Sequence, residues 1–491
     1  MDILRIHQKD NVAVALSPIS KGETADTGIT AASDIPAGHK IALRGIAKGE
    51  AVIKYGSPIG NAAADINPGD WVHTHNLRTS LSEGASYTYT HEFKELPDIP
   101  AKTFSGFLRK DKKAGIRNEI WIIPTVGCVN DVCKQLAGRL NETAESMGLD
   151  GIHTFTHPYG CSQLGDDHEN TRKILAGLVK HPNAGGVLVV GLGCENNTME
   201  EFQKLLGSWD ENRVKFMVCQ QEEDELETGT RLLSEIMETA SQDKRQPLPM
   251  GKLIVGMKCG GSDGLSGVTA NPVVGAFSDL LLSMGGSSIL TEVPEMFGAE
   301  TLLMNRCVNR EVFDKTVDMV SGFKDYFIKH GQVVYENPSP GNKDGGITTL
   351  EDKSLGCVQK GGSAPVSDVI GYGDKVQKTG LTLLSGPGND LVSTTALTAA
   401  GAQIILFTTG RGTPFGAPAV TLKISSNSEL AKRKKNWIDF DAGVVAQGTS
   451  ISKTAWQLLE LVQKVAGGEA RSRSEINGYR EIAIFKNGVT L

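Results

Sequence analysis

The sequence predicts an α/β protein in which a small N-terminal β-rich module precedes two α/β domains with mostly parallel, Rossmann-like sheets. Three observations support this class. Short strands and turns occupy the first part of the chain, apolar runs alternate with helical stretches from about residue 104, and this alternation restarts near residue 252. The length of 491 residues also exceeds one ordinary domain. The predicted division is residues 1–91 for the β-rich module, 92–103 for a linker, 104–248 for the second domain and 249–491 for the C-terminal domain.

In the N-terminal module, the segments 11–16 and 50–55 have the composition of short strands. Pro-Ala-Gly at 36–38 and Asn-Pro-Gly-Asp at 67–70 are typical turn sequences. The stretch 92–102 contains two prolines and few apolar residues that could be buried, so it is predicted to be a linker.

The two α/β domains are predicted from apolar runs that are separated by helical stretches. Such alternation is typical of parallel sheets that have helices on their faces. Strands are predicted at 120–123, 186–190, 252–256, 288–290, 381–384 and 403–407, and helices at 130–148 and 168–181.

The composition excludes several classes of partner. The formal net charge of −7 argues against nonspecific binding to nucleic acid or to an anionic membrane. The chain has no run of about 20 apolar residues, and its N-terminal residues lack the basic start and apolar core of a signal peptide. Eight cysteines are too sparse for a disulfide scaffold, which favours a reducing cytoplasm. The oligomeric state stays open, and a homo-oligomer is compatible with the sequence.

Several predicted strands end in glycine, cysteine and a polar residue, as at Cys128, Cys161, Cys194 and Cys259. Ligands of open α/β sheets bind beyond the carboxyl ends of strands, where glycine permits close approach of the backbone. Each thiol taken alone could be a small buried apolar group, but the recurrence of the arrangement favours a site. The absence of a Cys-x-x-Cys pair disfavours a zinc ribbon, while an iron–sulfur cluster held by dispersed cysteines stays open.

The pair His73 and His75 lies in the N-terminal module. If the segment is a strand, alternate residues face the same side, and both imidazoles can reach one metal ion. Solvated loop histidines are the alternative, and the residues alone do not decide between the two.

Loops rich in glycine, proline and small polar residues occur at 337–343, 385–390 and 409–414. Lys343 and Arg411 could pair with a substrate carboxylate there, and ordinary turns are the alternative. No Walker loop and no Gly-x-Gly-x-x-Gly after a strand is present, so neither NAD nor flavin is expected. Asp166 and His168 could be ligands or acid/base groups, or the first turn of the following helix.

Long motif strings resemble the altronate and galactarate dehydratase family over essentially the whole chain. They are Val52-Ile53-Lys54-Tyr55-Gly56, His73-Thr74-His75-Asn76, and the segments 159–168, 193–197, 291–300 and 481–486. The resemblance implies an N-terminal module of the SAF type, which also occurs in sialic-acid synthases and antifreeze proteins. It further implies a catalytic C-terminal domain and a divalent metal, Fe²⁺ with Mn²⁺ as a substitute.

The resemblance implies a hydro-lyase of hexuronate catabolism that converts D-altronate to 2-keto-3-deoxy-D-gluconate. A metal chelated by the carboxylate and the 2-hydroxyl would stabilise an enediolate, while a base removes the C2 proton and an acid protonates the departing hydroxyl. From residue chemistry and motif position, the catalytic candidates are His168, Asp166 and Glu195, the substrate-binding candidates are Lys343, Arg411, Asn342, Ser262 and Asp263, and the metal-binding candidates are His73, His75, Cys161 and Cys194.

Three alternatives stay open. The nearest ones are galactarate dehydration and elimination of sulfite from sulfolactate. A second is an iron–sulfur hydro-lyase in which three of Cys128, Cys161, Cys194 and Cys259 hold a cluster. A third is a non-catalytic protein that binds sugar acids.

Overall fold

The N-terminal module consists of two antiparallel sheets in the computed structural model, which describes residues 3–81, 87–93, 95–334 and 337–491. The first sheet has the order β1-β2-β3-β6 and the second the order β4-β5-β7. The predicted strands at 11–16 and 50–55 are confirmed as β2 and β4. The strands are β1 (Ile3–Leu4), β2 (Val12–Ala15), β3 (Lys40–Ala42), β4 (Ala51–Lys54), β5 (Ser57–Ala62), β6 (Trp71–Val72) and β7 (Leu77–Arg78).

The second domain contains a four-stranded parallel sheet of order β11-β10-β12-β13. Strands β8 and β14, from the two ends of the domain, pair antiparallel in a separate sheet with β9. The elements are β8 (Thr103–Leu108), β9 (Ala114–Gly115), β10 (Glu119–Pro124), α1 (Asn130–Ser146), β11 (Ile152–Thr154), α2 (Gly165–Val179), β12 (Ala184–Gly191), α3 (Met199–Leu206), β13 (Val214–Val218), α4 (Glu225–Ala240) and β14 (Gln246–Pro249).

Successive side chains of β10 pack against helices on opposite faces of the sheet. Ile120 and Ile122 pack into the hydrophobic cluster beneath α1 and α4, whereas Trp121 and Ile123 pack into the cluster beneath α2 and α3. Successive residues of a strand face opposite sides, so an uninterrupted apolar run is covered by helices on both faces. The helices predicted at 130–148 and 168–181 are confirmed as α1 and α2.

The third domain contains a seven-stranded parallel sheet of order β17-β18-β16-β15-β19-β20-β21. The strands predicted at 252–256, 288–290, 381–384 and 403–407 are confirmed as β15, β16, β18 and β19. The elements are β15 (Ile254–Cys259), α5 (Ala270–Ser283), β16 (Ser287–Leu290), α6 (Glu300–Met304), α7 (Arg310–Lys329), α8 (Pro340–Asp344), α9 (Leu350–Cys357), β17 (Val366–Ile370), β18 (Gly380–Leu384), α10 (Asp390–Ala399), β19 (Ile404–Thr409), β20 (Val420–Ser425), α11 (Ser428–Arg433), β21 (Phe440–Asp441), α12 (Ile451–Gly467) and α13 (Arg473–Ile476).

Both parallel sheets have a topological switch point, where neighbouring strands continue to opposite sides of the sheet. In the second domain the switch lies between β10 and β12, and in the third domain between β15 and β19. Ligands of open α/β folds bind at the carboxyl ends of the strands beside such a point. The topology therefore provides two separate places for a site.

The N-terminal module contacts the third domain where two backbone segments approach so closely that only glycine fits. A Cβ atom on Gly264 would meet the carbonyl oxygen of Gly38 at 1.9 Å and that of Gly345 at 3.2 Å. The Gly264 N–H also donates to the Gly345 carbonyl at 2.7 Å. The two domains thus approach each other at backbone distance.

We expect Gly264→Ala to lower the free energy of unfolding by about 1–3 kcal/mol, because the added methyl group must push the module away from the third domain. Chemical denaturation monitored by circular dichroism measures the change. Gly138→Ala, inside α1 with no atom within 4 Å of the added Cβ, is the control and is expected to be neutral or slightly stabilising. Equal stability of the two variants would contradict the proposed close contact.

Among the residues that the structure describes, no helix combines the length and the apolar character needed to cross a membrane. The described residues of the predicted linker at 92–102 form neither helix nor strand.

Candidate active site

Charged side chains and thiols gather at the carboxyl ends of β15 and β16 in the third domain. Lys258 and Cys259 are the last two residues of β15, and Glu292 and Glu295 lie on the turn after β16. Cys357 is the last residue of α9. All five side chains are buried, although charged residues are rarely buried unless they are paired. We call these five residues, together with Lys353, Lys360 and Asp390, the acid–thiol cluster.

Three lysines contact the carboxyl groups of the acid–thiol cluster. Lys258 Nζ contacts Glu292 Oε1 and lies 3.0 Å from Asp390 Oδ1. Lys353 Nζ lies 2.9 Å from Glu295 Oε1, and Lys360 Nζ lies 3.5 Å from Glu292 Oε2. Burial of so many charges is tolerated only because each ion faces an opposite one. Of the carboxylates, Asp390 is the accessible one, with 35% of its side chain exposed.

The two thiols meet at one carboxylate oxygen. Glu295 Oε2 lies 3.0 Å from Cys259 Sγ and 3.1 Å from Cys357 Sγ, and the sulfur atoms are 3.5 Å apart. Both cysteines are free, since a disulfide would bring the sulfur atoms to about 2.05 Å. The hydrogen bond from Cys357 lowers the pKa of Cys259 to about 6, whereas the same bond and burial raise the pKa of Cys357 well above its usual value. These opposite shifts mean that Cys259 loses its proton more readily than Cys357 does.

The two glutamates have opposite proton affinities. Burial raises the pKa of Glu292 well above its usual value, and the neighbouring Cys259 and Glu295 reinforce that shift. Burial opposes ionisation of Glu295 as well, but Lys353, Lys258 and Lys360 hold the pKa of Glu295 below its usual value. Two carboxyl groups whose environments separate their pKa values are typical of an acid/base site.

Glu292 also has a strained backbone. Its φ of 71° and ψ of 58° place a non-glycine residue in the left-handed region. Such conformations cost about 1–3 kcal/mol and are concentrated at functional sites. The strained turn directs the carboxylate to Lys258 and to the backbone N–H of Cys259, which donates to Glu292 Oε2 at 3.0 Å.

Three of the five predicted substrate-binding residues, Asn342, Ser262 and Arg411, make hydrogen bonds between loops beside this cluster. Asn342 Nδ2 donates to the Ser262 carbonyl at 2.8 Å, and Asn342 Oδ1 accepts from Lys353 at 3.2 Å. Arg411 is exposed and donates to the Gly341 carbonyl at 3.3 Å. These contacts bring three separate loops together at the β15–β19 switch point.

Two further predicted substrate-binding residues lie in the same loops. Asp263 accepts hydrogen bonds from Ser266, Ser426 and Asn427, so its carboxylate holds the loop after β15 in place. Lys343 lies in α8 and is half-buried.

The predicted metal ligands His73 and His75 lie in the turn between β6 and β7. Of the two conformations left open for this pair, the structure has the turn, because β6 ends at Val72 and the chain turns through residues 73–76. His73 is buried and its Nδ1 lies 3.1 Å from Thr348 Oγ1, whereas His75 is exposed. Burial lowers the pKa of His73 to about 4, so this imidazole is neutral at pH 7. Metal binding by these histidines stays a prediction.

The remaining predicted residues lie in the second domain, at the carboxyl end of the other parallel sheet. Glu195 is buried and accepts from Thr125 Oγ1 at 2.9 Å and from the Gly193 N–H at 2.6 Å, so it holds its own loop in place. Asp166 is exposed in the first turn of α2, and burial lowers the pKa of the half-buried His168. Cys161 and Cys194 are exposed on neighbouring loops. The structure thus divides the predicted residues between two sheets, and the catalytic role of this group stays a prediction.

Sequence analysis included Glu292, Glu295 and Asp390 in motif segments without a role, and it assigned no role to the three lysines of the cluster. A signal was present for one of them, since Lys258 interrupts an apolar strand that is buried throughout. A lysine at such a position is costly unless a carboxylate compensates it. The partners Lys353 and Cys357 had no comparable signal, because they lie far from β15 in the sequence.

Cys259, Glu295 and Cys357 have the arrangement that a divalent ion requires. Within the described ranges, they form the only group of three histidine, cysteine or acidic side chains whose ligand atoms lie within 4.8 Å of one another. With about 2.3 Å to sulfur and about 2.1 Å to oxygen, ligands at right angles would be about 3.1–3.3 Å apart. The observed separations of 3.0, 3.1 and 3.5 Å agree with this value. Thiolates and carboxylates are both ligands of divalent transition metals, so these three residues fit such an ion.

The chain matches three family descriptions and several characterised proteins along its length. Residues 1–80 match the altronate/galactarate dehydratase SAF domain, 106–241 the D-galactarate dehydratase/altronate hydrolase second domain, and 250–490 the D-galactarate/altronate dehydratase C-terminal domain. The chain is 52% identical to altronate dehydratase of Bacillus subtilis (strain 168), covering 99% of both chains, and 52% identical to altronate dehydratase of Escherichia coli (strain K12), covering 100% of both. It is 32% identical to galactarate dehydratase (L-threo-forming) of E. coli (strain K12), covering 98% of this chain and 96% of that one.

Proposed function

The chain belongs to the altronate/galactarate dehydratase family, and from this membership we propose that it removes water from D-altronate to give 2-keto-3-deoxy-D-gluconate. The observation that carries the choice of substrate is the full-length identity of 52% to two altronate dehydratases, against 32% to a galactarate dehydratase. The geometry supports the same reaction class, because the acid–thiol cluster combines carboxyl groups of opposite proton affinity with buried cations.

The reaction breaks the C2–H and C3–O bonds of the substrate. The C2 proton passes to a base, and the hydroxyl leaves C3 as water after it receives a proton from an acid. The product of these steps is an enol, which becomes the 2-keto acid when C3 is protonated. Negative charge develops on the substrate carboxylate as C2 loses its proton, so the site needs cations at that end of the substrate.

We assign the cationic role to Lys258 and the carboxylate-binding role to Arg411 and Lys343. Burial alone would lower the pKa of Lys258, but Glu292 and Asp390 raise it, so the ammonium stays charged at neutral pH. A fixed buried cation stabilises developing negative charge more than a solvated one does. Arg411 is exposed at the entrance, where a guanidinium can bind a carboxylate with two hydrogen bonds.

We assign proton transfer to Glu292 and Asp390. The raised pKa of Glu292 lets this buried carboxyl group carry the proton that the departing hydroxyl takes. Asp390 is the accessible carboxylate of the cluster and lies 3.0 Å from Lys258, so it can approach C2 from the open side. Asn342, Ser262 and Asp263 position the loops around the substrate.

Cys259, Glu295 and Cys357 would hold Fe²⁺, or Mn²⁺ as a substitute, beside this machinery. When bound, such an ion supplies Lewis-acid stabilisation of the substrate carboxylate and hydroxyl. The binding of the substrate, its orientation and the two proton transfers described above depend on residues of the chain itself.

We expect chelation to lower the turnover of D-altronate at least about 100-fold, because removal of a Lewis acid costs several kcal/mol of transition-state stabilisation. The measurement is anaerobic formation of 2-keto-3-deoxygluconate by the purified full-length protein, before and after chelation. Addition of Fe²⁺ or Mn²⁺ is expected to restore turnover.

Galactarate is the control substrate in the same assay. Faster turnover of galactarate than of D-altronate would contradict the proposed substrate. Unchanged turnover of D-altronate by protein shown to be free of metal would contradict the metal site and leave the dehydratase assignment in place.

A further inference from the structure

Each of the four parallel strands in the second domain is followed by a loop that carries a cysteine. Cys128 follows β10, Cys161 follows β11, Cys194 follows β12 and Cys219 follows β13. Because parallel strands end at the same edge of a sheet, the four loops are neighbours at the β10–β12 switch point. None of these cysteines belongs to the acid–thiol cluster of the third domain.

Three of these loops are locked together by backbone contacts beside the cysteines. The Gly127 N–H donates to the Tyr159 carbonyl at 2.8 Å, and the Asn197 N–H donates to the Gly160 carbonyl at 3.1 Å. The Ser162 N–H donates to Asn196 Oδ1 at 2.8 Å. These bonds hold the loops of Cys128, Cys161 and Cys194 at fixed positions relative to one another.

Gly160 shows how tightly the loops are packed. Its φ of 97° is unfavourable for other residues, and a Cβ atom there would meet the Thr125 carbonyl oxygen at 2.0 Å. The loop after β11 can therefore lie against the end of β10 only with glycine at this position. The approach brings Cys161, the next residue, towards the loop of Cys128.

The thiols of Cys128, Cys161 and Cys194 are exposed, whereas Cys133, Cys259, Cys307 and Cys357 are buried. Free cysteine is among the most buried residue types, and its chemistry usually decides where it is exposed. Each exposed thiol also precedes the N-terminus of a helix, namely α1, α2 or α3. The positive ends of three helices favour an anionic group at this edge.

Polar side chains in the loops at this edge of the sheet have unpartnered atoms or lie near a sulfur atom. Gln163 Nε2 and Asn197 Oδ1 are buried without a hydrogen-bond partner among the described residues. Gln220 Nε2 lies 3.6 Å from Cys194 Sγ, and Ser162 Oγ lies 3.8 Å from Cys161 Sγ. Hydrogen bonds to ligating sulfur atoms are typical of iron–sulfur sites, and unpartnered buried polar groups need an explanation.

We propose that Cys128, Cys161 and Cys194 bind an iron–sulfur cluster at the carboxyl edge of the second domain. Each thiol releases one proton when it becomes a thiolate ligand, and no electron transfer is required for binding. Three protein ligands leave one iron of a four-iron cluster accessible from the solvent side. The cysteine spacing of the sequence left this cofactor open, and the loop contacts assign its ligands.

A cluster fits these thiols better than a single ion does. In the described part of the chain, no three of the four loop cysteines have sulfur atoms within 4.8 Å of one another, whereas one tetrahedral ion needs about 3.8 Å. Cys219 is excluded as a ligand because its side chain packs against the hydrophobic cluster under α1 and α4.

The test measures iron and acid-labile sulfide in the full-length protein, isolated anaerobically and then reconstituted with a mixture of Fe²⁺, Fe³⁺ and sulfide. We expect about four iron and about four sulfide atoms per chain, with broad visible absorption that air bleaches. Cys128→Ser, Cys161→Ser and Cys194→Ser are each expected to lose most of the sulfide and the absorption. Circular dichroism checks that the variants are folded.

Cys219→Ser is the matched control and is expected to retain the cluster. Loss of the cluster in Cys219→Ser would overturn the three-thiol assignment. A triple variant of the three ligands, reconstituted in the same way, corrects for adventitious iron sulfide. Absence of sulfide, one zinc ion per chain, or retention of the cluster in a ligand variant would overturn the proposal.

The inference does not rest on the proposed function. Cys259→Ser and Cys357→Ser disturb the acid–thiol cluster and are expected to leave the sulfide content unchanged. Loss of sulfide in these two variants would overturn the assignment of the cluster to the second domain. A chain that dehydrates D-altronate without sulfide would retain the proposed function and lose this inference.

Discussion

Glu295→Gln is expected to lower kcat for D-altronate dehydration by about 10³-fold. The variant protein is also expected to contain less bound divalent metal in the same preparation. Glu295 provides the carboxylate between Cys259 and Cys357 and the partner of Lys353 at 2.9 Å. The glutamine amide has almost the same shape as the carboxylate but no charge. The substitution therefore removes the ionic partner of Lys353 and one anionic metal ligand. Steady-state kinetics and metal analysis measure the two effects.

Glu300→Gln is the matched control for this variant. Glu300 is also a buried glutamate, and it pairs with Lys324 at 2.8 Å outside the acid–thiol cluster. Its replacement removes a similar ion pair and is expected to lower stability while kcat stays within a few-fold of the unchanged enzyme. An equal loss of kcat in the two variants would show that removal of any buried glutamate–lysine ion pair lowers activity. The role assigned to Glu295 would then be wrong.

Asp352→Asn is expected to lower the free energy of unfolding by about 3–5 kcal/mol. Asp352 lies in α9 and receives two buried lysines of the N-terminal module, Lys40 at 2.7 Å and Lys54 at 2.9 Å. Without the negative charge of Asp352, two buried ammonium groups face each other. An uncompensated buried charge costs about 3–5 kcal/mol. Chemical denaturation measures the loss, and limited proteolysis measures release of the N-terminal module.

Glu50→Gln is the control, because it removes the exposed pair of Glu50 with Arg44 at 2.6 Å in the same module. Exposed pairs contribute about 0–1 kcal/mol, so little change is expected. A variant with Lys40→Met, Lys54→Met and Asp352→Leu together is expected to recover much of the stability lost by Asp352→Asn. Similar stabilities of Asp352→Asn and Glu50→Gln would contradict a role of this buried triad in docking.

Much of the secondary structure could be predicted because its signals are local. The apolar runs of β10, β12 and β19 are buried on both faces, which is typical of strands in parallel sheets. The small sheet of β8, β9 and β14 was not predicted, since β9 has only two residues and β14 pairs with β8 across more than 130 residues of sequence. Pro247 and Pro249 in β14 also disfavour a strand by local criteria.

The candidate site was predictable only in part. The loops with Asn342, Ser262 and Arg411 were recognised by composition, and the structure places them together at the β15–β19 switch point. The sequence left open whether His73 and His75 lie on a strand or in a loop, and the structure decides for a turn at residues 73–76, where strand periodicity does not apply. Lys353 and Cys357 were missed, because their position on α9 near Cys259 depends on the packing of α9 against the sheet.

The sequence by itself determined the family, the α/β class and the occurrence of thiols at the ends of strands, because these properties belong to segments of a few residues. Only the tertiary structure decided which thiols share a site. Strand order places Cys259 beside Glu295 and Cys357 in one sheet and the loops of Cys128, Cys161 and Cys194 at the edge of the other. Local sequence cannot encode this division, because it depends on contacts between residues far apart in the sequence, such as Cys259 and Cys357, which are 98 positions apart.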